Sequence, residues 1–220
     1  NTFLYGREVS NIVPTLLNPT EVMDGCIVSG NYVWPCFKVP SFIQANLPVV
    51  MQLARAHGKS VNFTGVVFDR GHNNSHFEKQ RVANIAANLV RRTGADGVVI
   101  SWEGGGNAAT DAMLTVQTCE NWGIKAVPFT FEFGGPDGTE GILLVDDVPE
   151  ARYVVSTGSI EKPTTIPRVD RVAGGNCLRL RKETGGDPEP AGIERTLDVT
   201  TAFYCGANQS GIGRLAGVPY

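Results

Sequence analysis

The chain has 220 residues, 42% of them hydrophobic, enough to bury one sizeable core, so a single domain over 1–220 is expected. A net charge of −3 and a pI near 5.6, with basic residues scattered apart from Arg91-Arg92 and "RLRK" at 179–182, exclude the electrostatic footprint of a nucleic-acid-binding protein. Apolar runs such as "GVVI" and "GILLV" are strand-length, far short of the roughly 20 residues that cross a bilayer, so no membrane contact is expected.

Cys26, Cys36, Cys119, Cys177 and Cys205 are odd in number and widely spaced, with no CxxC pair and no histidine at ligand spacing. That pattern predicts neither a metal site nor a disulfide framework. Together with the lack of a signal peptide it points to a reducing cytoplasm. The chain opens at Asn1, mid-element in "NTFLYG", and reads as the carboxyl-terminal subunit of a longer, cleaved precursor. The amino-terminal fragment of that precursor is its expected partner, in a heterodimer or higher oligomer.

In chain order, "GCIVSG" (25–30) is a candidate strand and "LPVVMQLARAHG" (47–58) a helix opened by Pro48, with "GKS" (58–60) closing it rather than forming a phosphate loop. "VNFTGVVF" (61–68) reads as a strand, and "HFEKQRVANIAANLVRRTG" (76–94) as a helix. Val82, Ile85, Ala86, Leu89 and Val90 fall at helical spacing there, leaving Lys79, Arg81, Arg91 and Arg92 to face water. "GVVIS" (97–101) is a strand, 109–123 a helix closed by Gly123, and "IKAVPFTFE" (124–132) a strand. "ARYVVSTG" (151–158) supplies another, and a last strand lies near 196–204. The strand–helix alternation predicts an α/β three-layer sandwich with a mostly parallel, Rossmann-like sheet. Residues 168–220, with the Pro/Gly-rich loop at 182–192, form an extension packing on the core or on the partner.

The stretch "GVVISWEGGGNAATDAM" (97–113) matches G-x-G-x-x-A loosely through Gly104, Gly106 and Ala109. Glu103 at the mouth of that loop would repel a pyrophosphate, which disfavours a dinucleotide. Gly104, Gly105, Gly106 and Asn107 feeding a helix N-terminus instead suit the carboxylate or carbonyl oxygen of a small molecule. The plain alternative is a tight turn in which Asn107 or Thr110, helped by Asp111, caps the helix. Glu103 and Glu132 end successive strands and would flank one cleft, holding an amine or acting as acid and base. "NPTEVMDGCIVSGNYVWPC" (18–36) crowds Asp24, Cys26, Asn31 and Cys36 together. Cys26 reads as structural, and Cys36 as the more reactive of the two. His57 reads as a helix C-terminal residue, with His72 and His76 in a polar loop.

The blocks "PTLLNPTEVMDGCIVSGN", "HGKSVNFTGVVF", "GADGVVISWEGGGNAATD", "GIKAVPFTFEFGGPDG" and "SGIGRLAGVPY" resemble the carboxyl-terminal part of the proprotein subunit of component B of glycine/sarcosine/betaine reductase, related to the D-proline reductase proprotein. The resemblance spans essentially the whole chain. It implies reductive processing of a C–N bond in a small amine or amino-acid derivative. It also implies a pyruvoyl cofactor made from an internal cysteine within "SGN–C–(three residues)–C". Here Tyr32 stands at the first cysteine and Cys36 at the second, and no dehydroalanine route starts from tyrosine. A second route is an amide hydrolase in which cleavage between Asn1 and Thr2 frees Thr2 as an N-terminal nucleophile. A third reading is a non-catalytic scaffold subunit.

Overall fold

A computed structural model describes residues 2–29, 41–71, 73–103, 106–132, 147–159, 164–166 and 195–197. The chain is a mixed α/β protein, and its amino-terminal part is built from short antiparallel pairings. Strand β1 (Thr2–Leu4) lies between β2 (Arg7–Glu8) and β4 (Ile27–Ser29), with Thr2 opposite Ser29. Between them β3 (Thr15–Leu17) precedes helix α1 (Pro19–Met23). Asn18 starts α1 by accepting the Thr20 amide at 3.0 Å on Oδ1, while its own amide donates to Glu21 Oε2 at 2.6 Å. These reciprocal bonds satisfy amides that an uncapped helix would leave bare. Two further helices follow, α2 (Ser41–Gln44) and α3 (Pro48–Ala56), and Val50 of α3 joins Leu4, Leu17, Val22, Cys26 and Ile27 in one buried cluster.

The carboxyl-terminal part is organised by a parallel sheet. Its strands β6 (Gly97–Ile100), β7 (Lys125–Glu132) and β8 (Val155–Ser159) lie in the order β6-β7-β8, with Gly97 opposite Lys125 and Ile100 opposite Pro128. Helix α4 (His76–Arg92) precedes β6, and α5 (Asn107–Asn121) connects β6 to β7. Ser75 and Glu78 form a capping box at the start of α4, and Arg91 and Arg92 sit in its last turn, complementing the helix dipole. Gly94 and Gly123, at φ 72° and 81°, take the left-handed turns that end α4 and α5. Ala87, Val90, Met113, Val116, Cys119, Ile124 and Ala126 are the core here, with Val98 and Ile100 of β6 packed on it. A separate antiparallel pair joins β9 (Thr164–Ile166) to β10 (Arg195–Leu197).

The expected strand at 61–68 forms only as β5 (Val66–Phe68), and it pairs antiparallel with β3, outside the parallel sheet. Gly65 permits that approach, because a Cβ there would stand 2.9 Å from Leu16 Cδ1 and 3.3 Å from the Leu17 carbonyl oxygen. Three-residue β3 carries too little alternation to announce itself as the partner. The helix expected from 109 begins at Asn107, and its N-cap is Gly106 (φ 63°) with no side-chain cap. Neither expected capping residue fills that place: Asn107 Nδ2 donates to the Asn73 carbonyl at 3.3 Å, and Thr110 Oγ1 turns to the Gly106 carbonyl at 3.5 Å. Of the expected extension, only β10 falls within the described residues.

The core makes a direct stability prediction. Met113 is fully buried, so Met113→Ala lowers unfolding free energy by about 2–5 kcal/mol in urea melts, whereas Phe77→Ala, at a side chain 74% exposed, changes it by at most about 0.5 kcal/mol.

Candidate functional site

Parallel strands place their following loops on one edge of the sheet, so the residues after β6 and β7 emerge side by side. A polar network fixes the neighbouring loop, which follows β5, against the start of α5. Lys79 Nζ of α4 sits 2.7 Å from Asp111 Oδ2 of α5, with their side chains only 8% and 6% exposed. Asn73 donates its backbone amide to Asp111 Oδ2 at 3.2 Å and its side-chain amide to Oδ1 at 3.0 Å. Lys79 also donates to the Asn107 carbonyl at 3.2 Å. Lys79 therefore faces the core rather than water, and Asp111 anchors a loop rather than capping a helix. Both corrections have one cause: the face of α4 that carries Lys79 is covered by α5, and only a paired charge survives such burial.

Between this loop, β6 and the amino-terminal strands lies a cavity of about 1200 Å³. Thr2, Gln44, Asp69, Ser101, Trp102 and Glu103 all line it. Half-buried Glu103 accepts a hydrogen bond from Gln44 Nε2 at 2.7 Å, so α2 orients a carboxylate at the end of β6. Asp69 follows β5 and lines the same cavity. Burial pushes its carboxyl up to about 6; the Arg70 amide, donating to Oδ1 at 2.6 Å, works against that shift, and the negative charge of Asp111 adds to it.

The other expected site residues fall as follows. Thr2 lies half-buried in the middle strand of its sheet, lining the cavity. Glu132 ends β7 on the same edge as Glu103, and its side chain lies outside the described part. Gly106 is half-buried at the N-cap of α5, followed by exposed Asn107. Asp24 caps the C-terminal end of α1, exposed and not among the lining residues. Asn31, Tyr32, Cys36, Gly104 and Gly105 lie outside the described residues, as does His72. Cys26 and Cys119 are buried, and burial raises both thiols, Cys119 to about 11. His57 follows α3 and accepts the Phe63 amide on Nδ1 at 3.0 Å, which pins a turn rather than serving the helix dipole. Among the described residues, no group of three or more His, Cys, Asp or Glu side chains could hold a metal ion, and no helix is long and apolar enough to cross a membrane.

Asp69 and the Lys79–Asp111–Asn73 network escaped the reading of the sequence. The signal for Asp69 was present: an acidic residue directly after the apolar "GVVF", the same criterion that singled out Glu103 and Glu132. The ion pair had no such signal, because its partners are 32 residues apart.

A cavity that reaches the carboxyl end of β6, where Gln44 orients the carboxylate of Glu103, gives this α/β protein a crevice of the ligand-binding type. The chain belongs to the family of glycine/sarcosine/betaine reductase component B subunits, whose model matches residues 1–217. It is 36% identical, over its whole length, to the glycine reductase complex component B subunits alpha and beta of Peptoclostridium acidaminophilum, covering 51% of that protein. It is 40% identical to the sarcosine reductase complex component B subunit alpha and 35% identical to the betaine reductase complex component B subunit alpha of the same organism, each over 79% of this chain, covering 40% and 39% of those proteins. The chain thus spans about half or less of the length of these relatives. No solved structure matches it. The pyruvoyl group implied by the resemblance needs a precursor with a leaving group on Cβ. Tyr32 carries only an aromatic ring there, so the residue present does not fit that group.

Two measurements test the energetics of the site. Lys79→Met strands Asp111 and costs about 3–5 kcal/mol in denaturant melts, and adding Asp111→Leu restores most of the loss except what the orphaned Asn73 amide retains. Asp69, raised from an ordinary 3.8 to about 6 in the fold, contributes stability that is fully present below about pH 4 and lost as pH rises through 6. Asp69→Asn, which keeps an acceptor for the Arg70 amide, therefore matches the parent at about pH 4. It exceeds the parent by about 1–3 kcal/mol above about pH 7 in paired urea melts.

Proposed function

We propose that this chain is the carboxyl-terminal subunit of a component B-type reductase assembly, partnered by the amino-terminal part of its precursor. It holds a small zwitterionic amine, of the glycine, sarcosine or betaine kind, at the carboxyl edge of its parallel sheet and presents a C–N bond for cleavage. The observation that carries this reading is the cavity itself. It opens where ligands of parallel α/β sheets sit, and it is lined there by a carboxylate, Glu103, that Gln44 holds in place.

The roles follow from charge. Backbone amides at Gly104–Gly106 and the first turn of α5, from Asn107, suit the substrate carboxylate, because four amides at a helix start lack intrahelical acceptors and share the positive end of the dipole. Glu103 and Glu132, following adjacent parallel strands, suit the cationic nitrogen or the proton traffic that accompanies C–N cleavage. Asn31 supplies a further polar contact, whereas Asp24, exposed at the end of α1 and absent from the cavity lining, drops out of the site; Cys36 is the thiol closest in sequence to Tyr32. No step is routed through a pyruvoyl group.

A second reading rests on Thr2, which lines the same cavity. Freed by cleavage after Asn1, its amine would serve as base and its hydroxyl as nucleophile toward an amide. Intact mass spectrometry and carbonyl-reactive reagents separate the two. The leading reading expects Tyr32 unmodified, no carbonyl labelling and no species beginning at Thr2; a Thr2-started species would move the assignment to the hydrolase. An intact chain in an assembly that turns over no zwitterionic amine leaves a scaffold subunit. In the assembled protein, Glu103→Ala lowers the rate of sarcosine C–N cleavage by about 100-fold or more without unfolding the protein. Full activity in that variant removes Glu103 from the mechanism.

A further inference from the structure

Resting on the reading of this cavity as a zwitterionic amine site, we infer that Asp69 is the counter-ion that holds the positively charged nitrogen of the substrate. The side chain lines the cavity just after β5, and Glu103, just after β6, lines it too. Every neighbouring cation is committed elsewhere. Arg70 Nε donates to Asn73 Oδ1 at 3.0 Å and its Nη1 to the Ser10 carbonyl, and Lys79 Nζ is spent on Asp111 at 2.7 Å. Among the described residues Asp69 is in no ion pair, and its one hydrogen bond is a backbone amide from the adjacent residue. The Arg70 charge lowers the Asp69 carboxyl through space, and a half-buried carboxylate with no ion pair of its own beside a cavity this size is a receptor for a cation from outside.

The surroundings favour a methylated ammonium as readily as a primary one. Phe68 and Trp102 line the same cavity, and aromatic faces attract alkylated cations that present no N–H group. Gly71, at φ 43°, takes the loop past α5 at ordinary contact distance from Ala108. Asn73, two residues on, ties that loop to Asp111 through both of its amides.

The charged groups around Asp69 are few. Arg70 flanks it on its own loop, Asp111 faces it from α5 with Lys79 of α4 neutralising that charge, and Glu8 and Glu103 stand on the other walls of the cavity. Asp96 and Lys125 line the same cavity at the amino edge of the sheet. A bound cation favours ionised Asp69, so binding strengthens as the carboxyl loses its proton.

Isothermal titration of sarcosine and of betaine into the full assembled protein tests this between about pH 5 and pH 8, where neither ligand changes its own charge. The expected result is an affinity roughly tenfold weaker at about pH 5 than at about pH 8 for both ligands. Asp69→Asn binds at least about tenfold more weakly at pH 8 and shows no such dependence, and Asp69→Glu restores the slope. Betaine, which has no N–H, must follow sarcosine, because charge and not a hydrogen bond is being read. If the parent binds both ligands and Asp69→Asn keeps its affinity and its pH slope, the counter-ion is another group and this inference alone falls. Failure of the parent assembly to bind either ligand overturns the amine-site reading as well.

Discussion

The buried pair of Lys79 and Asp111 is the constraint from which the geometry of the site follows. Two opposite charges almost without solvent exposure tolerate no slippage, because separating them by even a few ångströms leaves each desolvated and unpaired. Asp111 uses its remaining acceptor capacity on both amides of Asn73, so the loop after β5 docks on the first turns of α5. One carboxylate thereby sets the relative placement of α4, α5 and the loop that bears Asp69 and Arg70. Small residues let these elements meet: Ala83 and Ala87 of α4 and Ala108, Ala109 and Ala112 of α5 are all buried.

This arrangement also sorts the charges. With Lys79 consumed in the core and Arg70 bent back to Asn73 and Ser10, the cavity keeps carboxylates on its walls and spends its adjacent cations on structure. A pocket so biased suits a ligand with a positive nitrogen, while the glycine loop and helix start beside Glu103 suit a negative oxygen. On the proposed reading, this combination suits a zwitterion better than either a simple anion or an apolar molecule.

The chain belongs to the component B family, and one position departs from the pattern that the resemblance carries. The resemblance sets Tyr32 at the place of a cysteine whose Cβ must lose its substituent, and an aromatic ring on Cβ is no leaving group.

Periodicity and punctuation in the sequence determined the α/β class, helix α4, the left-handed glycine ends at 94 and 123, and the strand–loop–helix setting of Glu103. These are local quantities, written in the spacing of apolar residues and in the backbone freedom of glycine. The pairing of β5 with β3 in place of the parallel sheet, the burial of Lys79, the emergence of Asp69 as an unpaired carboxylate, and the meeting of Thr2, Gln44 and Glu103 around one cavity were decided only in three dimensions. Each depends on contacts between residues tens of positions apart, and such contacts leave no period in a chain: a lysine at a polar-face position reads as solvated until another helix is laid over it.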